Sequence, residues 1–201
     1  MARTNDPARM RDRILDAAFT AFTEAGYHAT GMQALKEAAG VTSGAFAHHF
    51  PSKKALGLAV VDDKVRRSVT KTWIDPVLHA ETAALGIDEV FRDIIASLDR
   101  NNAVKGCPLG NLAQELSGHD ADLRHAMTAL YDEWHSALAG KFETDSREGR
   151  AAPMPSDRLA GFVIAAYSGA MTLAKARQTT IPLRDCRAEI RRALGTYYTD
   201  S

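Results

Sequence analysis

Apolar residues recur along this chain at intervals of three and four, and nowhere alternate long enough to make a strand. Ile14, Leu15, Ala18, Phe19 and Phe22 fall on one helical face, and Gly26 follows as a left-handed stop. Thr30 then reads as the cap of a short second helix through Met32, Leu35 and Ala38, in a capping box with Gln33. That helix ends at Gly40. Thr42 or Ser43 caps a third short helix reaching about Phe50. After Pro51-Ser52 a longer helix runs through Leu56, Val60 and Lys64 towards Trp73 and stops near Pro76. Five more helical stretches follow, at about 86–103, 109–117, 120–142, 156–178 and 182–198. Gly106, Pro108, Gly118, the Pro153–Pro155 stretch and Pro182 supply the breaks. The pattern predicts an all-α protein. Residues 1–55 read as three short helices and residues 56–201 as a larger helical body, with a domain boundary expected between them.

The DNA-binding expectation comes from the joint between the second and third helices. Gly40 permits a positive φ where the chain turns, and Val41 plugs the angle between the helices. Gly44 and Ala45 keep the start of the third helix shallow enough to approach a groove. A short helix followed by a capped one fits a helix-turn-helix, whose second helix enters the major groove. Thr42, Ser43 and His48 are the base-edge candidates. Thr30, beside its capping role, His49, Lys53 and Lys54 are candidates for the DNA backbone, and Gln33 for either backbone or a base edge. Tyr27, Phe46 and Phe50 read as core joining the three helices, and Arg9, Arg11 and Arg13 as a solvated helix start.

Composition changes this picture little. The formal net charge is zero, and through residue 54 seven bases face five acids, a faint basic bias at the DNA-facing end. Two cysteines, Cys107 and Cys186, are too few for a disulfide framework and make no CxxC pair. No histidine or cysteine spacing matches a zinc site, and no cofactor motif is present. Apolar runs look broken well short of the roughly 20 residues that cross a bilayer, and Met1 to Arg13 has no signal-peptide core. The expectation is a cytoplasmic protein with no membrane partner.

Ile14-Leu15-Asp16-Ala17-Ala18, Gly26-Tyr27-x-x-Thr30, Glu37-Ala38-Ala39-Gly40-Val41-Thr42-x-Gly44 and His48-His49-Phe50-Pro51-Ser52-Lys53 together resemble the DNA-binding domain of TetR-family repressors. The resemblance spans about residues 10–61. It implies an all-α homodimer on double-stranded operator DNA, released when a small-molecule inducer binds the C-terminal domain. Three positions depart from the family pattern. Ala47 stands where a tyrosine usually touches the DNA backbone, Lys36 replaces a small residue, and Ala45 replaces a common hydroxyl residue. Further on, Lys105-Gly106-Cys107-Pro108-Leu109-Gly110-Asn111-Leu112-Ala113-Gln114-Glu115-Leu116 is similar to a segment of one branch of that family, as is Gly169-Ala170-Met171 with Leu173-Ala174-Lys175-Ala176. That branch includes repressors responding to reactive electrophiles, and its matching helix carries a lysine aligned with Lys175.

Cys107 lies just before a helix, where the positive end of the dipole favours the thiolate. Phe91, Ile94, Leu98, Leu112, Trp134, Phe162, Tyr167 and Met171 recur on apolar helix faces of the larger domain; most of them read as plain core, and a few could line a ligand cavity. Trp134, Tyr167 and Met171 combine apolar surface with a polar or polarisable handle, so with Cys107 and Lys175 they form the expected ligand set. Two other readings compete. An enzyme would need a nucleophile–base pair, phosphate loop or metal set, none of which is found; Glu115 and Asp120 read as surface or capping groups. A helical protein-interaction module would have no need of Gly40, Thr42 and the two lysines. The small residues Gly161, Ala165, Ala166, Gly169 and Ala170, with Ile190 and Leu194, predict dimerisation through the last two helices.

Overall fold

The protein, seen in a computed structural model, is described over residues 6–198, and no strand occurs among the described residues. Arg3, counted above among the N-terminal bases, lies outside them. The first helices are α1 (Pro7–Glu24), α2 (Met32–Ala39), α3 (Ser43–His49) and α4 (Lys53–Val60). Two short pieces, α5 (Arg66–Val69) and α6 (Asp75–His79), alternate with π-helical stretches at Val61–Val65 and Thr70–Ile74. Then come α7 (Ala83–Asn101), α8 (Pro108–Leu116), α9 (Ala121–Arg147), α10 (Ser156–Arg177) and α11 (Ile181–Leu194). They divide into two units. One holds the residues up to Ser68 with Pro108–Ala129, the other Val69–Cys107 with the chain from Leu130 on. This division differs from a single cut at residue 55, because α8 is tied by hydrogen bonds to the N-terminal helices.

In the first unit α1 starts on Asp6, whose carboxylate accepts the N–H groups of Ala8 (3.0 Å) and Arg9 (3.4 Å). Pro7 occupies the first turn, where a missing N–H costs nothing. Ile14, Leu15, Ala18 and Phe22 are buried, each large side chain worth about 1.5–3 kcal/mol, which holds α1 against α2 and α4. Gly26 (φ +97°) and Gly40 (φ +62°) take the left-handed conformation expected of them. The capping box does not form. Gly31 precedes α2 and caps nothing with a side chain, while Thr30 is buried and donates to the Gly26 carbonyl at 2.6 Å. A hydroxyl satisfying an inward-facing carbonyl outweighs one capping an exposed N–H. Gln33 instead donates to Glu37 at 2.8 Å.

Lys64 fastens α1 to the helical segment after α4. Its buried ammonium contacts Asp12 at 2.5 Å and Asp16 at 2.7 Å. Burial opposes its charge, but the hydrogen bonds it donates to both carboxylates win and hold its pKa above the ordinary lysine value. The helix expected to stop near Pro76 continues to His79. A π-helical stretch just ahead of Pro76 has already shifted the hydrogen-bond ladder, so the proline interrupts little.

In the second unit Thr82 caps α7 by accepting the Leu85 N–H at 3.2 Å. The core gathers Trp73, Val77, Ile87, Phe91, Trp134, Leu138, Phe142, Val163, Tyr167 and Leu183. Its polar centre is Asp145, fully buried on α9, which therefore runs past the expected end at 142. Asp145 accepts the Ala83 N–H (2.6 Å), the Tyr198 hydroxyl (2.9 Å) and the Arg150 guanidinium (3.1 and 3.2 Å), with Lys141 at 3.4 Å. The same node ends α11 early, since residues after Leu194 turn to bring Tyr198 to the carboxylate. By length and composition α10 could cross a membrane, contrary to the reading of its runs as broken. Here it lies against α11 and buries Val163, Ile164, Tyr167, Met171 and Ala174.

Candidate DNA-binding and ligand-binding sites

Within the first unit α2 and α3 are joined by Gly40, and Thr42 caps α3 by accepting the Ala45 N–H at 3.3 Å. Phe46 and Phe50 point inward, with Tyr27 also buried, as expected of core. This rotation leaves Thr42, Ser43, Gly44, Ala47 and His48 exposed along one edge, with Ala45 and His49 half-buried. The edge is polar, narrow and low, a shape that enters a major groove. Lys36 donates to the Ser43 hydroxyl at 3.1 Å, so this departure from the family pattern supports the start of α3.

The two lysines after α3 behave differently from a pair of loose phosphate ligands. Lys53 lies 4.6 Å from the Tyr27 ring and donates to the His28 carbonyl at 3.4 Å. Lys54 is held by Asp122 at 2.7 Å and Asp120 at 2.9 Å. Those two carboxylates raise its pKa, and Asp120 in turn sits below the usual carboxylate range through the Leu123 N–H and Lys54. The Thr30 hydroxyl is turned to the Gly26 carbonyl, with that of Ala21 in α1 next nearest. Of the residues expected at DNA, Thr42, Ser43 and His48 are therefore placed on the exposed edge, while Thr30, Lys53 and Lys54 serve the unit's own structure.

A second device belongs to the same unit. Glu115, on α8, accepts the N–H of Tyr27 at 2.8 Å and of His28 at 2.6 Å, in the turn between α1 and α2. One turn earlier Asn111 donates to the Thr23 carbonyl at the end of α1 at 3.0 Å. The i, i+4 spacing puts both side chains on one face of α8, which thus grips the turn that carries the helix-turn-helix.

In the second unit two of the expected ligand residues, Trp134 and Tyr167, fall in an aromatic cluster. The ring centroids of Trp73 and Trp134 are 5.0 Å apart, and Tyr167 lies 4.7 Å from Trp73 and 5.9 Å from Trp134. Phe91 meets Trp73 edge-on, and Tyr131 stacks on Trp134. Burial pushes the Tyr167 phenol well up, and Cys107 pushes it further by charge and by a shared hydrogen bond. A phenol held in its protonated form is the donor, so the Cys107 sulfur is the acceptor. Burial, with Cys107 next, raises Tyr131 to about 12. Met171 is buried one turn further along α10. Lys175 is half-exposed at the end of α10, where its carbonyl accepts the Gln178 side chain at 2.7 Å. The same Gln178 amide exchanges two hydrogen bonds, each 3.1 Å, with the backbone of Val104. Gln178 stands in the left-handed region (φ +49°), strain offset by this clamp on the segment leading to Cys107.

Residues 14–60 match the pattern of bacterial regulatory proteins of the tetR family. Residues 83–189, just over half of the chain, match the C-terminal domain of LmrA/YxaF-like transcriptional regulators. The chain belongs to the TetR family. Its members are transcriptional regulators, typically repressors, rather than enzymes. The HTH-type transcriptional repressor DhaR of Mycobacterium sp. (strain GP1) is 29% identical over 190 residues, covering 91% of this chain and 89% of that protein. A TetR regulator from Chloroflexus aurantiacus superposes with a TM-score of 0.82 at 27% identity, over 92% of this chain and 94% of that one. A TetR regulatory protein from Rhodobacter sphaeroides gives 0.79 at 26%, over 90% and 96%.

This TetR-family chain also holds functional candidates that sequence reasoning missed. Glu115 was read as a surface acid, although it and Asn111 lie together in the segment that marks the branch. Trp73, Tyr131 and Gln178 gave no signal, because their roles depend on neighbours far along the chain.

Proposed function

We propose that this regulator is a cytoplasmic homodimeric repressor that reads a palindromic operator with α3 and lets go when a small molecule or reactive electrophile enters the aromatic cluster. The reading rests above all on the low polar edge of α3, with core aromatics behind it. In a two-fold dimer the two copies of α3 would meet half-sites about 34 Å apart or a multiple of it. Ser43→Ala and His48→Ala are expected to change base preference at one defined position, at about 1–3 kcal/mol per lost contact. Lys54→Ala is expected to leave the salt dependence of binding unchanged, because its charge is committed to Asp120 and Asp122. Binding titrations across a salt series, on an operator and its single-base variants, check both.

The dimer surface proposed is the outer stripe of α10. Phe162, Ala165, Gly169 and Leu173 recur there at helical spacing and are exposed, Phe162 by 44% and Leu173 by 49%. A Cβ at Gly169 would meet nothing within 4 Å, which leaves room for a close helix neighbour. Ile190 and Leu194, expected to share in this surface, are instead buried within the protomer. Phe162→Asp with Leu173→Asp should convert a micromolar dimer to monomer in sedimentation, with helical content retained; an intact dimer would place the interface elsewhere.

Cys107 suits electrophile sensing because it is half-buried, accepts a hydrogen bond from Tyr167 and immediately precedes α8. Its thiolate adding to the β-carbon of an unsaturated carbonyl would form a C–S bond, and the resulting enolate would take a proton from water. Cys186 serves as control, since burial holds its thiol pKa above the ordinary value. Mass spectrometry after brief exposure to a mild electrophile at neutral pH should find Cys107 labelled first, with operator release lost in Cys107→Ser. Equal labelling, or release unchanged in that variant, would leave a reversible ligand as the inducer.

A further inference from the structure

Two buried indole donors in the second unit make no hydrogen bond of full geometry. Trp73 (2% exposed) and Trp134 (fully buried) carry indole N–H groups that reach no acceptor at hydrogen-bond geometry among the described residues. Trp73 comes nearest, since its N–H lies close enough to the Tyr167 oxygen to oppose the rise in that phenol's pKa without making a full bond. Buried polar groups are almost always satisfied, so each orphan in a folded protein calls for a partner. Here both occur in one cluster, on rings 5.0 Å apart, beside a third donor in Tyr167.

We infer that the Trp73 and Trp134 indole N–H groups are the recognition donors of a site for a small, flat, neutral carbonyl compound, whose oxygen they bind between aromatic walls. Indole N–H donates only, so the complementary group is an acceptor. The named walls, Trp73, Phe91, Tyr131, Trp134 and Tyr167, are aromatic rings and suit a flat ligand face. None of these side chains carries a positive charge, so a carboxylate would lose its hydration with no cation among them in return. A separate groove of about 450 Å³ opens between α7 and α11 in the same unit; Phe91 borders both it and the cluster, but the groove itself is lined by Arg150, Arg187 and Arg191 and is not the site proposed.

This inference rests on the reading of the chain as ligand-responsive, and its test separates the two. The chain has only two tryptophans, so its indole N–H resonances report on this site alone. The ¹⁵N-labelled, full-length Cys107→Ser protein is titrated with acetophenone, which does not alkylate thiols, and in parallel with ethylbenzene and benzoate. Acetophenone is expected to move both indole N–H signals downfield to saturation, ethylbenzene to leave them in place, and benzoate to bind at least tenfold more weakly. Trp134→Phe should weaken acetophenone about tenfold, the loss of one hydrogen bond. Indole protons that ignore acetophenone and exchange with one long-lived water would overturn the inference, as would benzoate binding as well as the ketone. Operator release, measured on the same samples, is a separate outcome. Moved indoles without release would keep the site and remove its inducer role, while release with unmoved indoles would do the reverse.

Discussion

Asp145→Ala is expected to remove about 3–5 kcal/mol of stability, the range for leaving a buried charge network without its acid. The carboxylate is fully buried and accepts from Ala83, Tyr198 and Arg150. Lys141 is almost as deeply buried, so its ammonium would keep only the carbonyls of Ala80 (2.8 Å) and Glu81 (3.3 Å). The start of α7 would lose the acceptor for its first N–H, and the chain after α11 would lose its tether. Asp145→Asn retains an oxygen for Ala83 but not the charge, so it should fall between wild type and alanine. Urea denaturation followed by circular dichroism measures all three. A loss below about 1 kcal/mol would mean that Asp145 behaves like an exposed ion pair, which its burial forbids.

Glu115→Ala should lower operator affinity by about tenfold while leaving the helical content intact. Two backbone N–H groups, those of Tyr27 and His28, lose their acceptor at once, each bond to a charged group being worth about 1.5–3 kcal/mol. The Tyr27 N–H is the more costly to strand, because its residue is buried under Gly57 and Lys53. Gly26, at φ +97°, would bring a Cβ within 3.2 Å of the same carboxylate, so the bare backbone there is what lets Glu115 come close to the turn. The expected consequence is a looser turn ahead of α2 and a less fixed α3. Hydrogen exchange at Tyr27 and His28 should speed up in Glu115→Ala. Unchanged exchange with unchanged affinity would mean that α8 has no hold on the DNA-binding helices.

The helices themselves could be read from the chain because their signals are local. Glycines at 26 and 40 and the cap at Thr42 act within four residues, and they mark ends found in the structure. The α3 edge was equally legible, since a seven-residue helix with Phe46 turned inward has only one face left for Ser43 and His48. What escaped were choices made by distant partners. Thr30 looks like a cap until the Gly26 carbonyl is found facing it. Lys54 looks like a phosphate ligand until Asp120 and Asp122 arrive from a segment far along the chain. The division at residue 55 could not anticipate Asn111 and Glu115, which fasten α8 across a sequence gap of more than eighty residues. In the aromatic cluster Trp134 and Tyr167 are residues the sequence singles out by their chemistry, but Trp73 sits where the helix was expected to fade out.

The central claim, that this TetR-family chain is a ligand-responsive repressor reading DNA through α3, is tested most directly by recovering the genomic fragments it binds. The full-length protein is mixed with sheared genomic DNA, bound fragments are sequenced, and recovery is repeated with Ser43→Ala/His48→Ala and at raised salt. The account predicts a small set of fragments sharing a two-fold symmetric sequence, recovered less at higher salt and with altered base preference in the double variant. Fragments with no shared sequence, or the same sequence recovered unchanged by the double variant, would contradict it.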